Sequence, residues 1–404
     1  MLALLGLTPG DMPLDVISII MAVICAIAAM QVAGGMDYLV DVAERILRRN
    51  PKHLNFLAPI ITYLMTLMAG TGHTAFSTMP VITEVAKEND IRPSRPLSIA
   101  VVASQIAITA SPISAAVVFF SSVLEPLGVG YLDLLAVAIP STFIACMLVA
   151  LVMTIIDRAN PNSPLSQDPV YQDRLARGVV TLRGEERREL APHARSSVLV
   201  FLLGLVAVMG YATAISDKVG LIKDPVMGRD QAIIAFMLTI AAVTVLLARS
   251  APSDILTAST FKSGMSAAIC VLGVAWLGTT FVQAYTDDIK GVAGQLLADY
   301  PWMLAVVLFF AAALLYSQAA TTKALMPTAL ALGVAPLAAV AAFPAVSALF
   351  VLPTYPTLLA AVEMDDTGST RIGKAVFNHA FLVPGILTIS FAVILGFLFG
   401  SLVI

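Results

Sequence analysis

Charge is the scarcest property of this sequence: Asp, Glu, Lys and Arg make up 12% of its 404 residues, against 59% that are hydrophobic. A soluble globular domain carries about a quarter charged residues, so that class is excluded, and a mean hydropathy of +0.91 places the chain among membrane proteins. Neither sign of charge dominates, because the formal net charge is only −3; the basic face that nucleic-acid binding needs is absent. Cysteine is equally sparse. Cys25, Cys146 and Cys270 all fall in apolar runs, where a free thiol behaves as a small hydrophobe and no disulfide framework is implied. With four histidines in all, the chain offers no His/Cys/Asp metal spacing, no nucleophile beside a base and no phosphate loop. An enzyme is therefore not expected, and neither is a metal or a cofactor. Residues 1–10 lack a charged n-region and a cleavage site, so no removable signal peptide is expected there, and they are too short to span.

What is abundant is long apolar runs. Residues 14–33, 134–156, 233–248 and 377–399 each approach the length that crosses a bilayer, about 20 residues of helix. They are nearly uninterrupted and rich in Ala, Leu and Met, unlike the alternating strands of an outer-membrane barrel. The expected fold is an all-α polytopic membrane protein.

One polar stretch divides the chain. Residues 157–197 hold most of the Pro, Asn, Ser and Arg between the two apolar halves, and seven arginines between positions 157 and 195 mark this loop as a cytoplasmic connector on the positive-inside bias. The halves on either side, 1–156 and 198–404, resemble each other. Pro51, an apolar run, Gly70-Thr71-Gly72-His73-Thr74 and Met79-Pro80 correspond to Pro301, an apolar run, Ser317-Gln318-Ala319-Ala320-Thr321-Thr322 and Met326-Pro327, at offsets of 250 and then 247. An amphipathic stretch precedes each unit, 36–49 and 287–299, with Asp37 and Asp287 again 250 apart. A proline break follows each: Ser111-Pro112-Ile113-Ser114 interrupts one span (96–124), and Pro353-Thr354-Tyr355-Pro356-Thr357 interrupts the other (337–362). Paired breaks within a duplication are the signature of an inverted-repeat transporter with discontinuous helices.

Basic residues flank residues 54–86 on both sides: Arg45, Arg48, Arg49 and Lys52 before, Lys87, Arg92 and Arg95 after. A segment with both ends on one side must turn back. The expectation is two re-entrant hairpins, 54–86 with its tip at 70–74 and 302–332 with its tip at 317–323, since non-helical backbone at membrane depth is tolerated where it lines a cavity.

Several runs carry a family resemblance: MPLDVISIIMAVICAIAAMQVAGG from Met12, LRRNP from Leu47, QIAITASPISAAV from Gln105, SQAATTKALMP from Ser317, LPTYPT from Leu352 and MDDT from Met364. Over essentially the whole chain they resemble the anaerobic C4-dicarboxylate transporter family, the Dcu type with A and B members. The resemblance implies exchange or proton-coupled transport of fumarate, succinate, malate and aspartate across a bacterial inner membrane. It also implies membership of the broader ion-transporter superfamily, whose known members are homodimers working by an elevator-like movement, and it brings in the membrane sensor kinase that some relatives serve as ligand co-sensors. Members carry a further membrane helix before the Met12-Pro13-Leu14-Asp15 run, which in this sequence is a stub.

A dianion at membrane depth needs donors in place of its water. Half-helix N-termini and Ser/Thr hydroxyls supply them without burying cations. The candidate binding residues are Thr71, Gly72, His73 and Thr74 in the first tip, Ser111 and Ser114 at the first break, Gln318, Thr321, Thr322 and Lys323 in the second tip, and Thr354, Tyr355 and Thr357 at the second break. Each hydroxyl has a competing use in bonding its own helix or packing against another. Lys323 lies roughly 10 residues, about 15 Å, from the outer end of its hairpin arm; an ionisable group so deep marks function, with snorkelling or a structural carboxylate as the alternative. His73 is read either as a donor or proton relay or as a structural imidazole. Tips and breaks contain no Asp or Glu and lack the Ser-Asn-Thr arrangement of sodium-coupled relatives, which favours exchange or proton coupling. The charged turn at Asp365, Asp366, Thr367 and Arg371 is expected to be a solvated loop, with gating or partner contact as the alternative, and His53 and His379 are expected near span ends. A gated organic-anion channel is the rival to a carrier.

Overall fold

The computed structural model describes residues 14–159, 164–180, 189–215, 221–258, 260–262, 265, 269, 299–353, 355–375 and 377–404. Residues 1–13, Cys270, Thr354 and nearly all of the second amphipathic stretch lie outside them, as does the side chain of His73. Among the described residues the secondary structure is helical apart from two isolated bridges, Ile91 with Pro164 and Ile372 with His379.

Sixteen α-helices are described. The first six are α1 (Leu14–Val32), α2 (Gly35–Arg49), α3 (Leu54–Ala69), α4 (Ala75–Glu88), α5 (Ser94–Ile106) and α6 (Ala115–Leu124). Then come α7 (Tyr131–Ala159), α8 (Pro169–Ala176), α9 (Ala194–Ala214), α10 (Arg229–Ala248) and α11 (Pro252–Thr257). The last five are α12 (Met303–Leu315), α13 (Gln318–Ala331), α14 (Pro336–Ala342), α15 (Pro356–Met364) and α16 (Leu382–Val403). Five stretches are long and apolar enough to cross a membrane: α5 through α6 taken together, α7, α9, α10 and α16; α1 and α2 add a sixth if that pair, bent by 68°, is one span. Leu199, Leu203 and Val206 on α9 and Ile394, Leu398 and Leu402 on α16 are exposed, at helical spacing. Apolar faces of this kind are stable against lipid and not against water.

The first amphipathic stretch is the helix the pattern predicts. Met36, Val40, Ala43 and Leu47 of α2 are buried on one face, while Arg48 pairs with Glu44 at 2.9 Å along the other. Asp37 in its first turn and Arg48 and Arg49 in its last suit the helix dipole. Gly34, at φ +83°, makes the bend from α1.

Over residues 54–88 the chain runs through α3, a short turn of 3₁₀-helix at Gly72–Thr74, and α4. Gly70 ends α3 in the left-handed region, φ +65°, with its N–H donating to the Thr66 carbonyl. The second hairpin is tighter than its sequence suggests. Tyr316, itself left-handed at φ +52°, closes α12, and Ser317 caps α13 by accepting from the Ala320 N–H at 3.1 Å. Residues 318–323 are therefore the first turns of a helix, not an irregular tip; the serine cap and an alanine-rich sequence make helix the better use of that backbone.

Helix is interrupted between α5 and α6 and again between α14 and α15. After α5 the backbone tightens into 3₁₀-helix at Ala107–Ala110, extends at Ser111, and restarts as α6 under the Ser114 cap. The second interruption is longer than the PTYPT motif: two short pieces of 3₁₀-helix lie between Phe343 and Phe350, separated by a kink at Ala348 (ψ +33°), before α15 starts at Pro356. The last apolar run begins at Leu382, five residues later than its hydropathy suggests, because His379 lies in an isolated bridge with Ile372 and is buried beneath the Val351 carbonyl.

The central polar loop is more than a connector. Its described part contains α8, capped by Asp168, and is pinned to the loop between α4 and α5 by Ser166, whose N–H and hydroxyl both donate to Asp90. Elsewhere small residues let helices close on one another. A Cβ on Gly396 of α16 would stand 2.9 Å from the Cα of Ala341 on α14, backbone that has no rotamer to yield. Gly396→Ala is expected to destabilise the protein by about 1–3 kcal/mol, read as a lower melting temperature in detergent; an unchanged melt would mean the two helices are free to separate.

Candidate functional site

α5 is the axis on which the predicted residues meet. At the first tip, a Cβ on Gly72 would lie 3.5 Å from the Ser104 carbonyl and from Ile108, and one on Gly70 would touch Ile113 at 3.2 Å. One residue further along α5, the Gln105 carbonyl accepts from the Gln318 amide at 3.3 Å and from the Ser347 hydroxyl at 3.4 Å. The side-chain amide of Gln105 donates to the Thr357 hydroxyl oxygen at 3.0 Å. Thus the turn after α3, the start of α13, the 343–350 segment and the start of α15 meet at the last turn of α5.

Lys323 lies on the same helix, α13, five residues beyond Gln318. Its side chain is 0% exposed, which excludes snorkelling in this conformation, and Nζ sits 5.7 Å from the centre of the Phe119 ring on α6. A cation over an aromatic face recovers part of the hydration it lost, on the order of 2 kcal/mol when desolvated. Tyr355 lies flat against Tyr316, centroids 6.0 Å apart and planes within 6°, so the second break stacks on the turn of the second hairpin.

Several predicted hydroxyls already give their hydrogens to the backbone. Ser111 donates to the Leu67 carbonyl and Ser114 to the Ile108 carbonyl, both at 2.7 Å. Thr321 and Thr322 donate one turn back, to the Ser317 and Gln318 carbonyls. Thr74 and Thr66 share a 2.8 Å bond inside the first hairpin. In this conformation Ser111, Ser114, Thr321 and Thr322 hold the breaks and helix starts in shape, which is the competing use of a membrane hydroxyl. Ser111, Gln318, Lys323, Tyr355 and Thr357 are the predicted residues that link separate elements directly.

Two residues were missed. Gln105 opens one of the motif runs, but inside an apolar α5 a lone amide has the look of packing; Ser347 lies in an apolar stretch with no local signal. Burial could have flagged Gln105: at 1% exposed, a glutamine in a membrane helix needs partners.

A second polar cluster lies along the basic ends of the helices. The turn after α15 is solvated at Arg371, which is exposed, but not at Asp365 or Thr367, which are buried. Asp365 is 1% exposed and accepts from the N–H and hydroxyl of Thr367, the Ser369 hydroxyl and the Thr370 N–H. Asp366 meets Lys87 of α4 at 3.0 Å, Lys87 also pairs with Glu84 at 2.9 Å, and Arg174 of α8 donates to the Asp366 carbonyl. Among the described residues no group of His, Cys, Asp and Glu is arranged to hold a metal ion.

An all-helical chain, among the described residues, with five stretches long and apolar enough to cross a membrane fits a polytopic membrane transporter. The family model described as "Anaerobic c4-dicarboxylate membrane transporter" matches residues 1–404, and the chain belongs to that family. It is 64% identical over 400 residues to the C4-dicarboxylate transporter DcuA of Wolinella succinogenes, covering 99% of this chain and 91% of that one. Identity to the DcuA of Escherichia coli K12 is 58%, over 99% and 92% of the two chains. The anaerobic C4-dicarboxylate transporter DcuB of Escherichia coli O6:H1 is 35% identical over 98% and 90%. The crystal structure of the Alcanivorax borkumensis YdaH transporter, described by its authors as having an unusual topology, shares the fold at a TM-score of 0.56, with 16% identity over 94% of this chain and 84% of that one.

Proposed function

We infer that this protein is a secondary transporter of C4-dicarboxylates such as fumarate, succinate, malate and aspartate, working in the bacterial inner membrane by exchange or proton-coupled transport. The observation that supports the reading is the meeting of α13, the 343–350 segment and the start of α15 at Gln105 of α5, with a fully buried Lys323 on the same α13 lying over the Phe119 ring of α6. A dianion at membrane depth needs donors in place of its water, and amides, hydroxyls and an ionisable group at that depth are the kind of group that supplies them. The names of relatives at 64% and 58% identity supply the substrate class.

Alternating access around this cluster, by an elevator-like displacement of one inverted repeat's hairpin and broken helix together with those of the other, follows from the duplicated offsets of the sequence. A homodimer belongs to the same reading, as does a membrane sensor kinase as a further partner. Counterflow of labelled succinate in proteoliposomes, with and without sodium and a pH gradient, tests it. The expected result is saturable, trans-stimulated uptake that is independent of sodium. A single-channel conductance in place of trans-stimulation would establish a channel.

A further inference from the structure

A cleft of 310 Å³ lies among the start of α3, the approach to α5 and the last turns of α7, and its lining includes Lys52, Asn55, Asp90, Arg92, Arg95 and Asp157. Both carboxylates are engaged: Asp157 pairs with Arg95 at 2.5 Å, and each oxygen of Asp90 accepts from Ser166. Arg92 is less well matched. Its Nη1 is 3.6 Å from Asp168, and Nε is buried with no hydrogen-bond partner among the described residues. The edge of the guanidinium that carries Nε is thus left for another acceptor, and with the side chain 26% exposed an anion in the cleft can reach it. Asn55 has the opposite need. Its Nδ2 donates to the Thr154 hydroxyl oxygen at 3.3 Å, and Thr154 gives its own hydrogen to the Ala150 carbonyl at 2.7 Å. Thr154 can therefore only accept from the amide, which fixes the amide's orientation. The other end, Oδ1, has no donor among the described residues. One cleft is lined by a residue short of an acceptor and a residue short of a donor, and such groups call for an explanation.

The cleft lies at the level of lipid headgroups. Arg95 stands at the start of one stretch long and apolar enough to cross a membrane, Ser94–Leu127, and Asp157 ends another, Tyr131–Asp157. Leu148, Leu151 and Ile155 of α7 are exposed at helical spacing towards that end, an apolar track for an acyl chain. Three cations line the cleft against two carboxylates that are already bonded, and basic pockets between helix ends suit anionic headgroups. A phosphodiester accepts from a guanidinium edge but has no hydrogen for Asn55; a headgroup hydroxyl has one. We propose that this cleft binds the headgroup of phosphatidylglycerol, with the phosphate on Arg92 and Lys52 and a glycerol hydroxyl donating to the Asn55 side-chain oxygen. Bound there, the lipid joins the starts of α3 and α5 to the end of α7.

The test is lipid binding to the whole chain purified in detergent, read as a shift in melting temperature and as bound lipid in native mass spectrometry; neither readout depends on transport. Phosphatidylglycerol is expected to raise the melting temperature. It should bind about tenfold more tightly than phosphatidylmethanol, which carries the same phosphodiester charge and no headgroup hydroxyl. Asn55→Leu should erase that preference. Arg92→Gln and Lys52→Gln should each weaken phosphatidylglycerol binding about tenfold. Lys52 is exposed, so its variant remains informative if Arg92→Gln fails to fold. Equal stabilisation of the wild type by phosphatidylcholine or by phosphatidylmethanol would overturn the proposal, and so would unchanged binding by Lys52→Gln. Inorganic phosphate stabilising the protein as well as the lipid does would make the cleft a site for a soluble anion, which overturns the lipid assignment too.

Discussion

Lys323→Ala is expected to abolish fumarate/succinate exchange, by at least about a hundredfold, while the protein still folds and inserts. Removing a charge that meets its partner in a desolvated site costs on the order of 2–5 kcal/mol of interaction, which sets that scale. Truncation to alanine also empties space beside Phe119, so Lys323→Met is the sharper variant: it fills the volume and removes only the charge. The methionine variant should fold and insert and yet transport nothing. Undiminished exchange by either inserted variant would remove Lys323 from the site.

The second large effect is structural. Asp365→Ala strips the acceptor from two backbone N–H groups and two hydroxyls at the buried part of its turn. Each donor left bare costs about 1–3 kcal/mol, and part of that is recovered as the turn loosens. A net loss of roughly 3–5 kcal/mol is expected, comparable to breaking a buried ion pair, with a clear fall in melting temperature and in the amount of protein inserted. Asp365→Asn, which keeps one acceptor oxygen, should lose about half as much. A solvated turn would lose under about 0.5 kcal/mol, so an unchanged melt for Asp365→Ala would restore the reading of this turn as an exposed loop.

The sequence made the repeating pieces visible and their mutual contacts invisible. Hairpins and breaks declare themselves locally, through Gly70, the Ser111-Pro112 pair and the Pro353-Pro356 pair, because backbone that leaves a helix needs particular residues there. α2 is legible because its apolar stripe and its charges fall on opposite faces. The second tip was placed too far along because Ser317-Gln318-Ala319-Ala320 matches the first tip in position, while its serine cap and alanines start a helix at once. Asp365 looked solvated because charge usually is; its four donors come from the next five residues, and only the folded turn shows them enclosing it. Gln105 could not be found by any local rule, since Thr357 and Gln318 stand 252 and 213 residues away.

The cluster at the basic ends of the helices has a mechanical meaning. Lys87 closes the first hairpin, Asp366 and Ser369 follow the second broken helix, and Ser369 also receives the Ser94 N–H at the start of α5. With Arg174 added from α8, pieces from both halves of the chain and from the segment between them are riveted at one place. Sliding α4 past α15 would tear a largely buried ion pair and the bonds around it together. These bonds tie α4, the start of α5, α8 and the turn after α15 into one unit.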